Sequence, residues 1–101
     1  MIVHVVLLRL ARGWDAAELA DVMDGLGVLS LPGLLGFRHG PNLDAERKSP
    51  QFPYGFVVDF ADRAALDRYA ADPGHQALGA RLVALCEGGG DGIFVADLDA
   101  G

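Results

Sequence analysis

The order of the apolar segments constrains the fold of this chain more than any other feature. Some segments have apolar residues three and four positions apart, as a helix face does, and others are strand-length runs or alternate with period two. In chain order they read strand, helix, strand, strand, helix, strand, over residues 2–10, 15–28, 34–40, 52–60, 62–86 and 93–98. This order predicts an α+β fold of the ferredoxin-like β-α-β-β-α-β type, with helices on one face of a four-stranded antiparallel sheet.

Length and composition limit the classes of function. The 101 residues are enough for a single domain, 1–101. Acidic residues number 14 and basic residues 8, without a Lys/Arg cluster, which argues against nucleic acid or an anionic membrane as partner. The single cysteine, Cys86, excludes an intrachain disulfide, is expected to pack in the core, and suits a reducing compartment. Residues 2–10 are too short to span a bilayer and lack signal-peptide features, so a cytoplasmic protein is predicted.

The first and last predicted strands along the chain indicate a homodimer. Residues 2–10 and 93–98 are apolar on both faces. In residues 2–10, Val3, Val5 and Leu7 lie on one face, and Ile2, Val6, Leu8 and Leu10 lie on the other. Two helices can cover only one face of the sheet. We therefore expect the other face to pack against the same face of a second copy of the chain.

Residues 62–86 predict two helices with a break at Pro73. Asp62 and Asp72 are good N-caps, and Pro73 cannot continue a helix but suits the first position of a new one. In an unbroken helix Tyr69 and His75 would point roughly 240° apart, whereas the break lets them converge. The first turn of the second helix also disfavours a charged imidazole on His75. The pair is a candidate for proton transfer near neutral pH, and the alternative is a solvated His75 beside a core Tyr69.

His4 interrupts the apolar face of the first strand, so its ring must find a hydrogen-bond partner. It is either a core histidine whose ring is hydrogen-bonded within the protein, or part of a functional site. In a ferredoxin-like sheet the third strand separates His4 from His39, so these two should not share an ion. The chain also has no Cys pair and no HExxH motif, and Gly88, Gly89 and Gly90 follow a helix instead of opening one. We expect neither a metal site nor a cofactor.

Four stretches together resemble the stress-responsive α/β-barrel family, also called Dabb. They are the opening strand IVHVVLLRL, the GPN after the second strand, the segment GFVVDFADRAALDRYAADPGH, and the closing IFVADLD. The resemblance covers nearly the whole chain and implies a dimeric α+β barrel. Most members of the family have no assigned activity. One member, a plant polyketide cyclase, closes a linear polyketide by aldol condensation without metal or organic cofactor.

The resemblance to that cyclase implies roles for individual residues. Tyr69, His75 and His4 fall on its working positions. His75 would then be the general base that removes an acidic C–H proton, Tyr69 would orient it or stabilise the enolate, and His4 would line the pocket. Tyr54 stands where the cyclase has a further pocket histidine. With Phe56 and Leu78, Tyr54 is expected to bind a small apolar or carbonyl compound between the sheet and the helices.

Two classes of function remain open on the sequence. The first is a cofactor-free cyclase or isomerase, with a monooxygenase on the same fold as a related possibility, in which haem could bind a helix histidine. The second is a non-catalytic dimeric module that binds a ligand or responds to stress without turnover. The sequence does not separate them.

Overall fold

The computed structural model describes residues 1–101 and has the expected order of elements. A short 3-10 turn, Gly89–Gly92, precedes the last strand. No helix combines the length and the apolar character needed to cross a membrane. The strands and helices are β1 (Ile2–Leu8), α1 (Ala16–Gly27), β2 (Leu34–Pro41), β3 (Tyr54–Phe60), α2 (Arg63–Ala71), α3 (Pro73–Leu85) and β4 (Ile93–Asp99).

The four strands form one sheet in the order β2-β3-β1-β4, and every neighbouring pair is antiparallel. This topology confirms the ferredoxin-like prediction. In the registers His4 pairs with Val58 on one side and Asp97 on the other, while His39 pairs with Phe56. His4 and His39 therefore lie on strands that β3 separates, as expected.

Aspartate caps begin all three helices. The Asp15 carboxylate accepts hydrogen bonds from the backbone N–H groups of Ala17 and Glu18, at 3.0 and 3.1 Å. Asp62 accepts from the backbone of Ala65 at 2.9 Å. Asp72 then accepts from the backbone N–H of residue 75, also at 2.9 Å. These bonds satisfy helix N–H groups that have no partner within the helix, so the predicted N-caps at Asp62 and Asp72 are confirmed.

The core lies between the helices and one face of the sheet. Its strand residues all have even numbers, so the sheet face that carries residues 6, 8, 56, 58 and 60 is the helix-covered face. Cys86 is buried there, as predicted. No helix covers the opposite face. The buried residues are Val6, Leu8, Leu10, Leu19, Val22, Met23, Leu26, Phe56, Val58, Phe60, Ala65, Tyr69, Leu82, Leu85 and Cys86.

The strict alternation predicted for the second strand is wrong at its start. Strict alternation along residues 34–40 predicts that Leu35 shares a face with Phe37 and His39, opposite Leu34. The register of β2 against β3 instead shifts between Leu34 and Gly36, and Leu35 is left unpaired and 61% exposed. Leu34 packs against the core together with Phe37. A bulge of one residue reverses the direction of every side chain that precedes it, which explains the difference.

Candidate functional site

The break at Pro73 brings Tyr69 and His75 together. Tyr69 lies in the last turn of α2, before the break, and His75 lies in the first turn of α3, after it. Their ring centroids are 3.9 Å apart with the planes inclined by 34°, so the two rings are stacked. Phe60 supports the tyrosine from β3, with a centroid distance of 5.0 Å. The convergence that the sequence predicts is therefore present, whereas the chemical role of the pair stays a prediction.

The surroundings of His75 favour its neutral form. Its desolvation by burial lowers the pKa of the imidazole, and the nearby ring of His4 acts in the same direction. The Asp72 carboxylate and the backbone carbonyl groups of Tyr69 and Ala70 oppose this shift without cancelling it. Nδ1 of His75 is buried and has no hydrogen-bond partner. In the Nε2–H tautomer, Nδ1 presents a lone pair that has no hydrogen-bond partner in the protein.

The Tyr69 hydroxyl is a second buried polar group without a partner. Tyr69 is only 2% exposed, and its hydroxyl has no hydrogen-bond partner in the protein. Desolvation raises the pKa of this phenol well above its ordinary value, so the group remains a protonated donor at neutral pH. Nearly all buried polar groups in proteins are hydrogen-bonded, and an exception at a site like this one marks a place for a ligand or a water molecule.

His4 joins the cluster from β1 and is paired with Asp97 on β4. The His4 ring lies 5.9 Å from the Tyr69 ring, in an edge-to-face arrangement. Its Nδ1 lies 2.5 Å from the Asp97 carboxylate. The Nδ1–H group donates to the Asp97 carboxylate, which fixes the ring orientation and leaves Nε2 free for another partner. The sequence predicted that His4 would need a partner but did not identify Asp97. Its signal in the sequence was a carboxylate inside the otherwise apolar run IFVADL.

An open groove gives access to this end of the molecule. It has a volume of about 550 Å³ and lies between α2 and the β1–β4 edge of the sheet, lined among others by Ile2, His4, Leu66 and Asp97. The His4 side chain is 13% exposed, so it stands between this groove and the buried Tyr69. Solvent or a small molecule in the groove therefore reaches His4 first.

The structure does not bring Tyr54, Phe56 and Leu78 to this cluster. Tyr54 pairs with Leu8, four residues along β1 from His4, which is roughly 13 Å at the rise of a strand. Its hydroxyl bonds Nδ1 of His39 at 2.7 Å, beside a separate cavity of about 450 Å³. Phe56 is a core residue. Leu78 is partly buried and packs against the same core. Their predicted part in ligand binding stays a prediction.

Comparison with protein families gives a match over residues 2–100 to the stress responsive A/B barrel domain, Dabb. A solved structure from Jannaschia sp. CCS1, described as a dimeric ferredoxin-like protein of unknown function, is 44% identical, covers 98% of both chains and has a TM-score of 0.84. No curated protein matches this sequence.

Two more distant structures share the fold. Hydroxynitrile lyase from Passiflora edulis is 15% identical, with 99% of this chain and 94% of that chain covered and a TM-score of 0.79. SnoaB, a cofactor-independent oxygenase from Streptomyces nogalater, is 16% identical, with 98% and 91% covered and a TM-score of 0.68. At these identities the likeness concerns the fold alone. The family match and the 44% identical relative show that this chain belongs to the stress responsive A/B barrel (Dabb) family.

Proposed function

We propose that the protein is a cofactor-free acid–base catalyst that acts on a small apolar carbonyl compound. The observation that carries this proposal is the pair of buried groups without partners, the Tyr69 hydroxyl and His75 Nδ1, next to the ordered His4–Asp97 pair. One group is a protonated donor and the other a neutral acceptor. A carbonyl compound with an acidic C–H bond needs both kinds of group at once, one for its oxygen and one for its proton.

The proposed step is proton abstraction next to a carbonyl group. His75 Nδ1 takes the C–H proton and becomes an imidazolium, and the electron pair of that bond moves to the carbonyl oxygen as an enolate. The Tyr69 hydroxyl donates a hydrogen bond to this oxygen, where the negative charge develops. The Asp72 carboxylate favours the imidazolium. Return of the proton to carbon, or attack of the enolate on a second carbonyl, completes an isomerisation or an aldol-type cyclisation.

His4 is proposed to hold the compound in place. Nε2 of His4 forms a hydrogen bond with a polar group of the compound, because Nδ1 is engaged with Asp97. Ile2, Leu66 and Ala70, which line the groove beside His4, provide apolar contact for the rest of the molecule. Other proteins with this fold include a lyase and an oxygenase that is described as cofactor-independent, so the proposal suits the fold, which hosts several chemistries.

The protein is proposed to work as a homodimer in the cytoplasm. The uncovered sheet face carries the apolar side chains of Val5, Leu7, Phe94 and Leu98. A 44% identical relative is described as dimeric. Packing of these faces against each other would remove the apolar surface from water. The only cysteine is buried and free, which suits a reducing compartment.

The test is deuterium exchange into small enolisable ketones and β-ketoesters, such as 1-phenyl-2-propanone, in D2O at pH 7. We expect the protein to accelerate exchange at the α-carbon. His75→Gln should abolish the acceleration and Tyr69→Phe should lower it, whereas His39→Gln, outside the cluster, should not change it. Binding without exchange, unaffected by His75→Gln, would favour the non-catalytic module instead. Neither binding nor exchange across the set would refute the proposal.

A further inference from the structure

A second cavity lies at the end of the sheet far from His4, between α1, the end of β2 and the start of β3. We call it the α1 cavity. It has a volume of about 450 Å³, which is within the range of small-molecule binding sites. Ala16 and Ala20, one turn apart on α1, line it with small side chains and so leave this space open. No residue lines both the α1 cavity and the groove beside His4, so the two are separate.

Trp14 lines the α1 cavity from the segment that precedes α1. It is the only tryptophan of the chain, and it is 40% exposed. Its backbone is fixed, because its N–H donates to the carbonyl oxygen of Ala11 at 3.0 Å and the next residue, Asp15, caps α1. A large apolar ring on an ordered backbone beside a cavity gains buried contact area when a ligand enters.

The sheet contributes two more rings to the α1 cavity, those of His39 and Tyr54. The Tyr54 hydroxyl is hydrogen-bonded to Nδ1 of His39 at 2.7 Å, and the two ring centroids lie 6.0 Å apart with planes inclined by 35°. Phe37 packs on His39 with a centroid distance of 5.5 Å. These contacts hold both rings in place. The cavity therefore has aromatic side chains from two separate parts of the chain, the sheet and the segment before α1.

The charge of the α1 cavity comes from Asp24. This residue supplies the only carboxylate of the lining, and no lysine or arginine lines the cavity. Glu18 and Asp21, on the same helix, both bind the guanidinium of Arg81. Asp24 takes part in none of the ion pairs of the structure. A carboxylate without a counter-ion beside aromatic rings attracts a cation, because the faces of aromatic rings also carry negative potential.

We propose that the α1 cavity is a second binding site, and that its ligand is a small organic cation, an amine with an aromatic body. The ammonium group binds the Asp24 carboxylate, and the body packs against the rings of Trp14 and Tyr54. A neutral compound of the same shape makes the aromatic contacts but leaves Asp24 without a counter-ion, and a carboxylate is repelled by it. The inference is independent of the proposed chemistry at His75, since the two sites share no residue.

The test uses the fluorescence of Trp14, which reports on this cavity alone because the chain has no other tryptophan. The full chain is titrated at pH 8 with three probes that have the same body and differ in charge: 3-phenylpropylammonium, 3-phenylpropan-1-ol and 3-phenylpropanoate. We expect a saturable change with the ammonium probe, which should bind about tenfold more tightly than the alcohol, and the weakest binding with the carboxylate. The preference for the ammonium probe should shrink in about 1 M sodium chloride, because salt screens exposed charges.

Two aspartates of α1 provide a matched pair of variants. Asp24→Asn should lower the affinity for 3-phenylpropylammonium to that for the alcohol and leave the affinity for the alcohol unchanged. Asp21→Asn makes the same change of charge on the same helix, outside the cavity, and should alter either affinity less than about twofold. Equal losses in the two variants would mean that the amine responds to the net charge of the protein, −6, and would overturn the site.

Three further outcomes would overturn the inference. No saturable change with any probe up to about 20 mM would mean that the cavity binds none of them. Equal affinities of the ammonium and the alcohol would mean an apolar pocket without selection for charge. NMR titration gives the place of binding, and the largest shift is expected at the Trp14 indole N–H; a shift confined to the His4 ring would place the amine in the acidic groove beside His4 instead. Failure of the α-carbon exchange assay leaves all of these measurements unaffected.

Discussion

Replacing Tyr69 with phenylalanine should make the free protein more stable, although the side chain lies in the core. The ring packs on Phe60 and His75, and the substitution keeps those contacts. It removes only a hydroxyl that is buried and has no hydrogen-bond partner. A buried polar group without a partner costs about 1–3 kcal/mol, so its removal should raise the free energy of unfolding by about 1 kcal/mol. The expected function of the hydroxyl is to bind a ligand, which is absent from the free protein.

The measurement is urea denaturation of both proteins at the same concentration, since a dimer unfolds at a concentration-dependent midpoint. A gain of about 1 kcal/mol corresponds to a rise in melting temperature of roughly 4–8 °C for a domain of this size. Tyr54→Phe is the matched control. Its hydroxyl bonds His39 at 2.7 Å, and its loss should lower stability by about 0.5 kcal/mol.

The reasoning fails if Tyr69→Phe lowers stability as much as Tyr54→Phe does. In that case the Tyr69 hydroxyl has a partner in the folded protein and is not available to a ligand. The same two variants should differ in the opposite sense in the exchange assay, where Tyr69→Phe loses acceleration and Tyr54→Phe keeps it. A substitution that stabilises the fold and impairs the chemistry is typical of residues whose groups are reserved for a ligand.

Three other changes test separate parts of the structure. The folded pKa of His75 lies below the ordinary 6.5, so the unfolded chain binds more protons in acid. The stability that His75 contributes is therefore complete above pH 6.5 and is lost as the pH falls from 6.5 through the folded pKa. In urea titrations between pH 7 and pH 5, the His75→Gln variant should lose less stability than the native protein. Asp97→Asn releases the His4 ring from its fixed orientation, and α-carbon exchange should fall at least about tenfold with the circular dichroism spectrum unchanged. Gly33→Ala should lower the free energy of unfolding by about 2–4 kcal/mol, because φ is +83° and the new Cβ would lie 2.5 Å from Cβ of Ala65. Gly13→Ala, at φ +74° with nothing nearby, is the control and should lower it by about 1 kcal/mol; both are measured by thermal unfolding.

Much of the fold follows from local chemistry in the sequence. The end of α2 and the start of α3 were predictable because a proline ring excludes one helix and begins another, whatever its surroundings. That covalent constraint also predicted that Tyr69 and His75 converge. Period-two alternation also predicted which residues of β1 and β3 share a face, but not which face the helices cover, because β1 is apolar on both faces.

Other features depend on how distant segments align. Asp97 could be placed beside His4 only from the register of β4 against β1. The sequence of either strand alone does not determine that register. The bulge at Leu35 is a one-residue irregularity that alternation cannot anticipate. Tyr54 was expected beside the cluster because of the family resemblance, yet it lies at the other end of its strand, next to His39.

The most direct test of the account is the pKa of His75, measured by NMR titration of its imidazole with His4→Ala and His39→Ala variants to assign the signals. The account predicts a value below the ordinary 6.5, so that the ring is neutral at pH 7 and its Nδ1 lone pair is free to take a proton. A value at or above 6.5 would mean a solvated or ion-paired imidazole, and would contradict the assignment of His75 as the base.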